Sequence, residues 1–176
     1  MVAQIRVPKN TNYLQPTKYL LVFDRMPTVQ YFCQSVNLPG VSLGQATIPT
    51  PLLQIYSPGQ QLTYNNLNID FSLDESAQGF QEMLNWFNSI ASPEGTEVRK
   101  SLNALENTTK IKPSYFSDGI LTLLSNLNNP LLRVQFYNMF PISMSDVNLD
   151  TKSSADNIIT VSASFVIERY KFISLA

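Results

Sequence analysis

Residues 66–73 alternate strictly between polar and apolar side chains, and this pattern constrains the fold more than any other in the chain. A period of two residues is that of a β-strand with one buried face and one solvated face. The apolar positions are Leu67, Ile69, Phe71 and Leu73, and the polar positions are Asn66, Asn68, Asp70 and Ser72. The segment therefore predicts a strand of a sheet that is dry on one side only.

The C-terminal half of the chain carries three more strand patterns. Residues 157–172 predict one long strand with a similar alternation. Its apolar face holds Ile159, Val161, Ala163, Phe165 and Ile167, and its polar face holds Thr160, Ser162, Ser164 and Glu168. Residues 120–125 and 132–140 predict two strands joined by the turn-forming run Asn128-Asn129-Pro130. Pro141 is expected to kink the second of these, which would resume over residues 147–149.

The N-terminal half begins with two further strand patterns. Residues 17–24 and 29–37 predict two strands, and the short break between them predicts a hairpin. Leu38-Pro39-Gly40 would end this pair as a type II turn, in which the glycine has a positive φ. From residue 41 to residue 58, three prolines argue against a central strand and predict an extended, irregular excursion. These prolines are Pro49, Pro51 and Pro58.

Residues 76–91 carry apolar side chains at spacings of three and four, which predicts a helix with one apolar stripe that packs on the dry face of the sheet. The stripe consists of Phe80, Met83, Leu84, Phe87, Ile90 and Ala91. The residues that can cap its first amide groups are Asp74, Glu75 and Ser76. Pro93 and Gly95 would end the helix. The polar residues 96–112 that follow predict a helix or a loop, within an insertion of residues 96–118.

Composition removes several classes of function. The chain has 176 residues, enough for one domain, and its 12 basic and 13 acidic residues give a net charge of −1. This balance disfavours tight binding of nucleic-acid phosphates. Because the chain has no histidine and Cys33 is its single cysteine, it excludes Ser-His-Asp and Cys-His pairs, His-ligated metals, cysteine-cluster metals and internal disulfides. Neither a membrane span nor a signal peptide is expected.

The low content of charged residues predicts an assembly. Charged residues make up 14% of the chain, where about 25% is typical of a globular domain. A subunit that is covered by copies of itself can replace surface charge with amides and hydroxyls. Assembly is therefore favoured over the alternative, a soluble monomer with a neutral polar surface.

Few residues are candidates for chemistry. Asp74 and Glu75 are adjacent carboxylates that would diverge on an extended backbone, so helix capping is favoured over acid–base catalysis. Cys33 has no histidine to activate it and is expected to be a buried or half-buried thiol. Trp86 has no clear cluster of basic neighbours and is expected to anchor the core or an interface. No glycine-rich phosphate loop occurs. The sequence thus predicts no catalytic, cofactor-binding or metal site.

The order of the elements carries a family resemblance. The signals are the Leu38-Pro39-Gly40 break, the step from Asp74-Glu75-Ser76 to a helix with Asn85-Trp86-Phe87, and the Phe140-Pro141-Ile142-Ser143 kink before an acidic loop and a terminal strand. Over most of residues 17–172, the chain resembles the contractile-phage tail tube proteins of the T4-like kind. The same pattern resembles their close relative, the baseplate tube initiator.

The resemblance implies a mainly β fold, an antiparallel β-sandwich or β-barrel with one flanking α-helix, as a single domain over residues 1–176. It implies a structural virion protein without catalysis or cofactor. Its hexameric rings would stack into the inner tube of a contractile tail and conduct the phage genome. The implied partners are copies of the chain, the tail sheath, and baseplate or terminator proteins. DNA would pass without specific binding, no membrane would be involved, and assembly would take place in the host cytoplasm.

The polar strand faces are expected to line the channel of such a ring. A conduit for DNA must hold water without gripping phosphates, and neutral or acidic side chains suit that task. The expected lumen-facing residues are Asn68, Asp70, Ser72, Thr160, Ser162 and Ser164. The alternative is that these faces meet outside solvent on a monomer.

Two segments are expected to contact neighbouring copies, because neither can complete its backbone hydrogen bonds in a local sheet. They are the N-terminal arm, residues 1–16, and the proline-rich residues 41–57.

Other functions stay open at this level. A baseplate tube initiator or a tail-end adaptor ring of the same fold would form rings that do not propagate into tubes, and the tube protein of a contractile injection system would share the same pattern. An enzyme or a carbohydrate-binding β-domain would need a concave cluster of carboxylates or exposed aromatic residues. The linear pattern does not show such a cluster.

Overall fold

A computed structural model describes residues 12–93, 95–97, 100, 115–152 and 157–174 of the chain. Most of the expected N-terminal arm, residues 1–16, and most of the expected insertion, residues 96–118, lie outside the described residues. Within them the fold is mainly antiparallel β, as the sequence predicts. None of the helices in the described ranges is long and apolar enough to cross a membrane.

The described elements are nine strands and two helices, here numbered in chain order. They are β1 (Tyr19–Phe23), α1 (Pro27–Phe32), β2 (Cys33–Val36), β3 (Val41–Pro49), β4 (Gln54–Tyr64), β5 (Leu67–Ser72), α2 (Gln78–Ile90), β6 (Ser117–Leu124), β7 (Pro130–Met144), β8 (Thr160–Val166) and β9 (Arg169–Ser174).

Strand β7 is long enough to belong to two sheets. Its C-terminal residues 140–144 pair with β8, which continues through β5 to β2, and we call this the polar sheet. Its N-terminal part pairs with β6 on one side and β9 on the other, and β6 pairs with β1; we call this the facing sheet. All of these pairings are antiparallel, as is the separate hairpin formed by β3 and β4.

The chain crosses from one sheet to the other in β7 and again between β8 and β9, and these two crossings lie side by side. Asn138 of β7 has a φ of 50°, and its backbone N–H donates to a carboxylate oxygen of Asp118 at 3.1 Å. Its side-chain amide donates to the carboxylate of Glu168, and the N–H of Glu168 donates to the Tyr137 carbonyl at 3.2 Å. Glu168 lies between β8 and β9, so both crossings are tied together here.

This crossing corrects the expectation of one long strand over residues 157–172. The segment forms two strands because β8 pairs within the polar sheet and β9 pairs within the facing sheet. The expected kink at Pro141 is a register shift between Pro141 and Ser143, with β7 continuing to Met144. Residues 147–149 are not part of a strand, so the expected resumption there is wrong.

The inner faces of both sheets share one core. Leu67, Ile69 and Phe71 of β5 are fully buried, which confirms the dry face predicted from their alternation. The rings of Phe23 on β1 and Phe165 on β8 stack at 5.7 Å, which joins the facing sheet to the polar sheet. Burial of such side chains is the main source of the fold's stability.

The expected N-terminal hairpin is wrong. Residues 29–37 form most of α1 and then β2, and β1 pairs with β6 instead of β2. Pro27 suits the first turn of α1, where no backbone donor is needed, and burial of Val29 fixes the helix against the core. Gly40 does not have a positive φ, so the expected type II turn is absent at this position.

Residues 41–58 form a regular structure instead of the expected irregular excursion. They make up β3 and the first part of β4, and these two strands stand apart from the two sheets as a hairpin. Prolines are tolerated because each strand of an isolated pair has an unpaired edge. The strands cross closely at Gly44 and Gly59, where a Cβ on Gly59 would lie 2.6 Å from the Gly44 carbonyl oxygen.

Helix α2 covers the core with a face that is rotated from the predicted stripe. Its buried positions are Gly79, Met83, Trp86 and Ser89, with Phe80, Phe87 and Ile90 packed beside them. Leu84, expected in the stripe, is 45% exposed. The Trp86 indole N–H donates to the Tyr115 carbonyl at 3.0 Å.

Of the three residues predicted to cap the first amide groups of α2, Asp74 is the one that accepts such a group. Its carboxylate accepts the Gln78 backbone N–H at 2.8 Å, and it also accepts the Ser76 hydroxyl. These bonds lower the pKa of Asp74 below its ordinary value, with the Ser76 hydroxyl as the largest cause.

We expect Met83→Ala to lower the free energy of unfolding by about 2 to 5 kcal/mol, because it empties a fully buried site. Leu84→Ala is the matched control on the adjacent, exposed position, and should cost less than about 1 kcal/mol. Denaturant titrations of the monomeric protein would measure both. Equal losses in the two variants would contradict the observed rotation of the helix.

Candidate functional site

The six residues expected to line a channel lie together on two paired strands. The register of β5 and β8 places Asn68 opposite Ser164, Asp70 opposite Ser162, and Ser72 opposite Thr160. Their neighbours in each strand point into the core, so all six side chains share the outward face of the polar sheet. Two separate alternating segments of the sequence thus build one continuous polar face.

Hydrogen bonds connect these side chains across the strands. The Ser162 hydroxyl donates to one carboxylate oxygen of Asp70 at 2.5 Å, and the Ser164 hydroxyl donates to the Asn68 amide oxygen at 2.5 Å. The Ser35 hydroxyl of β2 donates to the other oxygen of Asp70, also at 2.5 Å. Both oxygens of Asp70 are therefore held by hydroxyl groups.

The face extends to residues that the sequence analysis did not identify. Ser35 belongs to β2, which begins only at Cys33. The sequence therefore did not show which face of the sheet the Ser35 side chain occupies. Asn37 accepts the Asn68 backbone N–H with its amide oxygen at 2.6 Å. Ser145 accepts the Ser162 backbone N–H at 3.0 Å. Asn37 lies between Val36 and Leu38, so no run of polar residues marked it in the sequence.

Charge is divided between the two sheets. In β2, β5, β8 and residues 140–144, the only residue with a formal charge at pH 7 is Asp70. The facing sheet carries Arg133, Arg169 and Lys171 on its outward side, with the Arg169 guanidinium 4.9 Å from the centre of the Tyr137 ring. The outward face of the polar sheet is thus neutral to weakly acidic.

The pKa of Asp70 lies below its ordinary value. The Ser162 hydroxyl is the largest cause and the Ser35 hydroxyl the second, since both donate to the charged form. Asp70 therefore carries its negative charge at neutral pH. The resulting surface offers hydroxyls, amides and one carboxylate per copy to water.

Cys33 is half-buried beside this face. Its thiol donates to the Ser35 carbonyl with an S–O distance of 3.4 Å, and burial is the largest cause of its raised pKa. The thiol is therefore protonated at neutral pH and is a poor nucleophile. This agrees with the half-buried thiol expected from the sequence.

The fold is a β architecture of two antiparallel sheets that share one strand. It carries a neutral polar face on one sheet and a separate hairpin. A family model described as phage tail tube protein matches residues 4–173, and the chain belongs to that family. This is a family of structural proteins and not of enzymes. No curated protein matches the chain by sequence.

Three solved structures show a similar fold. One is a chain from the structure of the anti-feeding prophage tube-terminating cap, with a TM-score of 0.63, 12% identity and coverage of 99% of both chains. Another is from the sheath-tube complex of the PVC extracellular contractile injection system, with a TM-score of 0.58, 12% identity and coverage of 94% of both chains. A third is from the PVC sheath/tube terminator, with a TM-score of 0.57, 15% identity, and coverage of 94% of this chain and all of that one.

We expect Ser162→Ala to raise the pKa of Asp70 towards its ordinary value, since it removes the main donor to the carboxylate. Ser35→Ala should raise it less. Ser164→Ala, whose hydroxyl meets Asn68 instead, is the matched control and should leave it unchanged. NMR titration of the Asp70 carboxyl carbon measures all three.

The sign of the pH effect on stability follows from the lowered pKa. The stabilisation from the two hydroxyl bonds should be complete above about pH 4, the ordinary range of an aspartate. It should be lost as the pH falls through the lower folded-state value. The free energy of unfolding should therefore depend on pH differently in the native protein and in Ser162→Ala over this range. The same pH dependence in both proteins would contradict the hydrogen-bond geometry.

Proposed function

We propose that this protein is the subunit of a hexameric ring that stacks into the inner tube of a contractile phage tail and conducts the genome. Family membership supports the tube, and the polar sheet supports the conduit. The single observation that carries the proposal is the outward face of that sheet, whose described strands bear paired hydroxyl, amide and carboxylate groups and no basic residue.

A face of this kind suits the wall of a DNA channel. Each Lys or Arg that neutralised a phosphate would release counterions and add binding energy, which would slow the passage of DNA. Asp70 instead places one carboxylate per subunit on the wall, so a ring would hold a girdle of like charge that repels phosphates. In this proposal Asn68, Ser72, Thr160, Ser162 and Ser164 line the same channel.

Assembly would bury the apolar surface that the free chain exposes. The β3–β4 hairpin carries Leu43 and Leu62 as one cross-strand pair and Ile48 and Ile55 as another, and all four are exposed. An isolated two-stranded hairpin is marginally stable in water, so this hairpin would gain stability on a neighbouring copy. The N-terminal arm, residues 1–16, is proposed to make the same kind of contact.

The remaining partners are proposed to meet other surfaces of the ring. Sheath subunits would cover the outward side of the facing sheet, and baseplate and terminator proteins would meet the ends of the tube. DNA would pass through without specific binding. The protein would be part of the virion, assembled in the host cytoplasm.

A second role has support from the solved structures. The similar chains come from structures of a tube-terminating cap and of a sheath/tube terminator, so a tail-end adaptor ring or a baseplate tube initiator is the second proposed role. The tube of a contractile injection system is the third variant of the same role. An adaptor or initiator would form single rings, whereas a tube protein would form stacked rings.

Electron microscopy of the purified full-length protein tests the ring and the tube. We expect sixfold rings that stack into hollow tubes as the concentration is raised. Single sixfold rings at all concentrations would favour the adaptor role. A protein that stays monomeric would overturn the proposed function.

A double lysine variant tests the channel face. Ser162→Lys with Ser164→Lys should preserve assembly but reduce genome delivery, because six copies would place about twelve cations on the channel wall to grip phosphates. Asn126→Lys with Leu127→Lys, on the exposed β6–β7 turn, is the matched control. Unchanged infectivity of the channel variant, or a density map with Asp70 on the outer surface, would overturn the assignment.

A further inference from the structure

The outward side of the facing sheet carries three cations on the paired strands β7 and β9; we call Arg133, Arg169 and Lys171 the basic strip. All three residues are exposed, while the alternate positions Val134 and Phe136 of β7 are fully buried. Arg133 and Lys171 are diagonal neighbours in the register of the two strands, about 7 to 8 Å apart by the usual sheet spacing. Charges at this distance are not screened from each other by physiological salt. The strip is therefore a local concentration of positive charge.

The chain does not neutralise the basic strip. None of its three cations forms an ion pair with a carboxylate among the residues that the structure describes. The Arg169 guanidinium lies 4.9 Å from the centre of the Tyr137 ring, which orients the guanidinium without removing its charge. A guanidinium that is oriented in advance loses less entropy when it binds a carboxylate. The strip therefore offers uncompensated and partly ordered donors to an anionic partner.

Apolar side chains continue the same face of the sheet beside the basic strip. Leu20 and Val22 of β1 and Ile120 of β6 point outward, and Leu20 is 44% exposed. Val22 pairs with Ile120, which pairs in turn with Gln135 of β7. The outward face therefore has an apolar half on β1 and β6 and a cationic half on β7 and β9. A partner segment with one apolar side and one acidic side matches both halves.

We infer that this face binds an acidic, amphipathic segment of the sheath subunit. The carboxylates of the segment pair with the basic strip, and its apolar side chains pack against Leu20, Val22 and Ile120. The inference rests on the proposed function and deepens it, because only a ring with the polar sheet at its channel turns the facing sheet towards a surrounding sheath. What it adds is the sign of the charge and the layout of the contact.

The arrangement of the proposed tube disfavours two other occupants of this face. Every copy would turn its facing sheet away from the shared channel, so a second copy in the same tube would not cover the middle of that sheet. DNA is anionic as well, but it would run on the opposite side of each subunit, along the polar sheet. DNA also lacks an apolar side to match Leu20 and Ile120. The partner that surrounds the tube is the one that remains.

Charge reversal tests the contact in whole phage particles. Arg133→Glu with Lys171→Glu should leave rings and tubes intact, because both side chains are exposed. The fraction of tubes that carry a sheath should fall about tenfold, since attractive contacts become repulsive. Lys152→Glu, on the exposed loop after β7, is the matched control and should be sheathed like the native tube. Electron microscopy of lysates counts sheathed and bare tubes; if the double variant does not assemble, Arg133→Gln with Lys171→Gln replaces it.

A peptide probe tests the chemistry of the partner without the sheath protein. An amphipathic peptide of leucine and glutamate should bind native tubes about tenfold more tightly than the same peptide with lysine in place of glutamate. Its binding should weaken when the salt is raised from about 0.1 M to about 1 M, which shortens the screening length from about 10 Å to about 3 Å. The preference for glutamate should be lost in Arg133→Glu with Lys171→Glu and kept in Lys152→Glu. Fluorescence anisotropy of the labelled peptides measures the binding.

The outcomes separate this inference from the proposed function. Bare tubes in the double variant, together with a preference for the glutamate peptide that the variant loses, support the inference. Fully sheathed variant tubes, or equal binding of the two peptides to native tubes, overturn it and leave the tube and its channel intact. Tighter binding of a short DNA duplex than of the glutamate peptide also overturns it, because the basic strip would then be a nucleic-acid surface. Failure of the native protein to form rings or tubes overturns both.

Discussion

The fold depends on one strand that hydrogen-bonds in two sheets. β7 pairs with β6 and β9 through its first part and with β8 through residues 140–144, so it must change direction between them. Asn138 makes that change with a positive φ, and its bonds to Asp118 and Glu168 hold the crossing. Because both sheets meet at this crossing, their inner faces close over one core and their outer faces point in different directions.

The two outer faces can therefore differ in chemistry. On the polar sheet, hydroxyls hold both oxygens of Asp70, and the strands that the structure describes there contain no basic residue. On the facing sheet, Arg133, Arg169 and Lys171 stand outward. This separation is what the proposed conduit role requires, since a channel wall and an outer wall would meet different partners. Neither wall needs a reactive group, in agreement with the structural family to which the chain belongs.

The small number of charged residues in the chain is related to the position of the β3–β4 hairpin. Residues 26–69 carry no charged side chain, and they include α1, β2 and the β3–β4 hairpin. Charged groups at surfaces that become covered would lose hydration without gaining partners. In the proposed assembly the covered surfaces would therefore be uncharged, and the charged residues of this chain do lie outside residues 26–69.

The sequence by itself determined the strands with a period of two, the cap at Asp74 and the polar character of Asn68, Asp70, Ser162 and Ser164, because these are properties of local spacing. Only the tertiary structure decided that β5 and β8 are partners in register and that Ser35 joins them, since strand pairing is between distant residues. It also decided that residues 29–32 are helical. Packing against the core determined the strand pairing and the helical residues. It also determined which side of the broadly apolar helix α2 is buried.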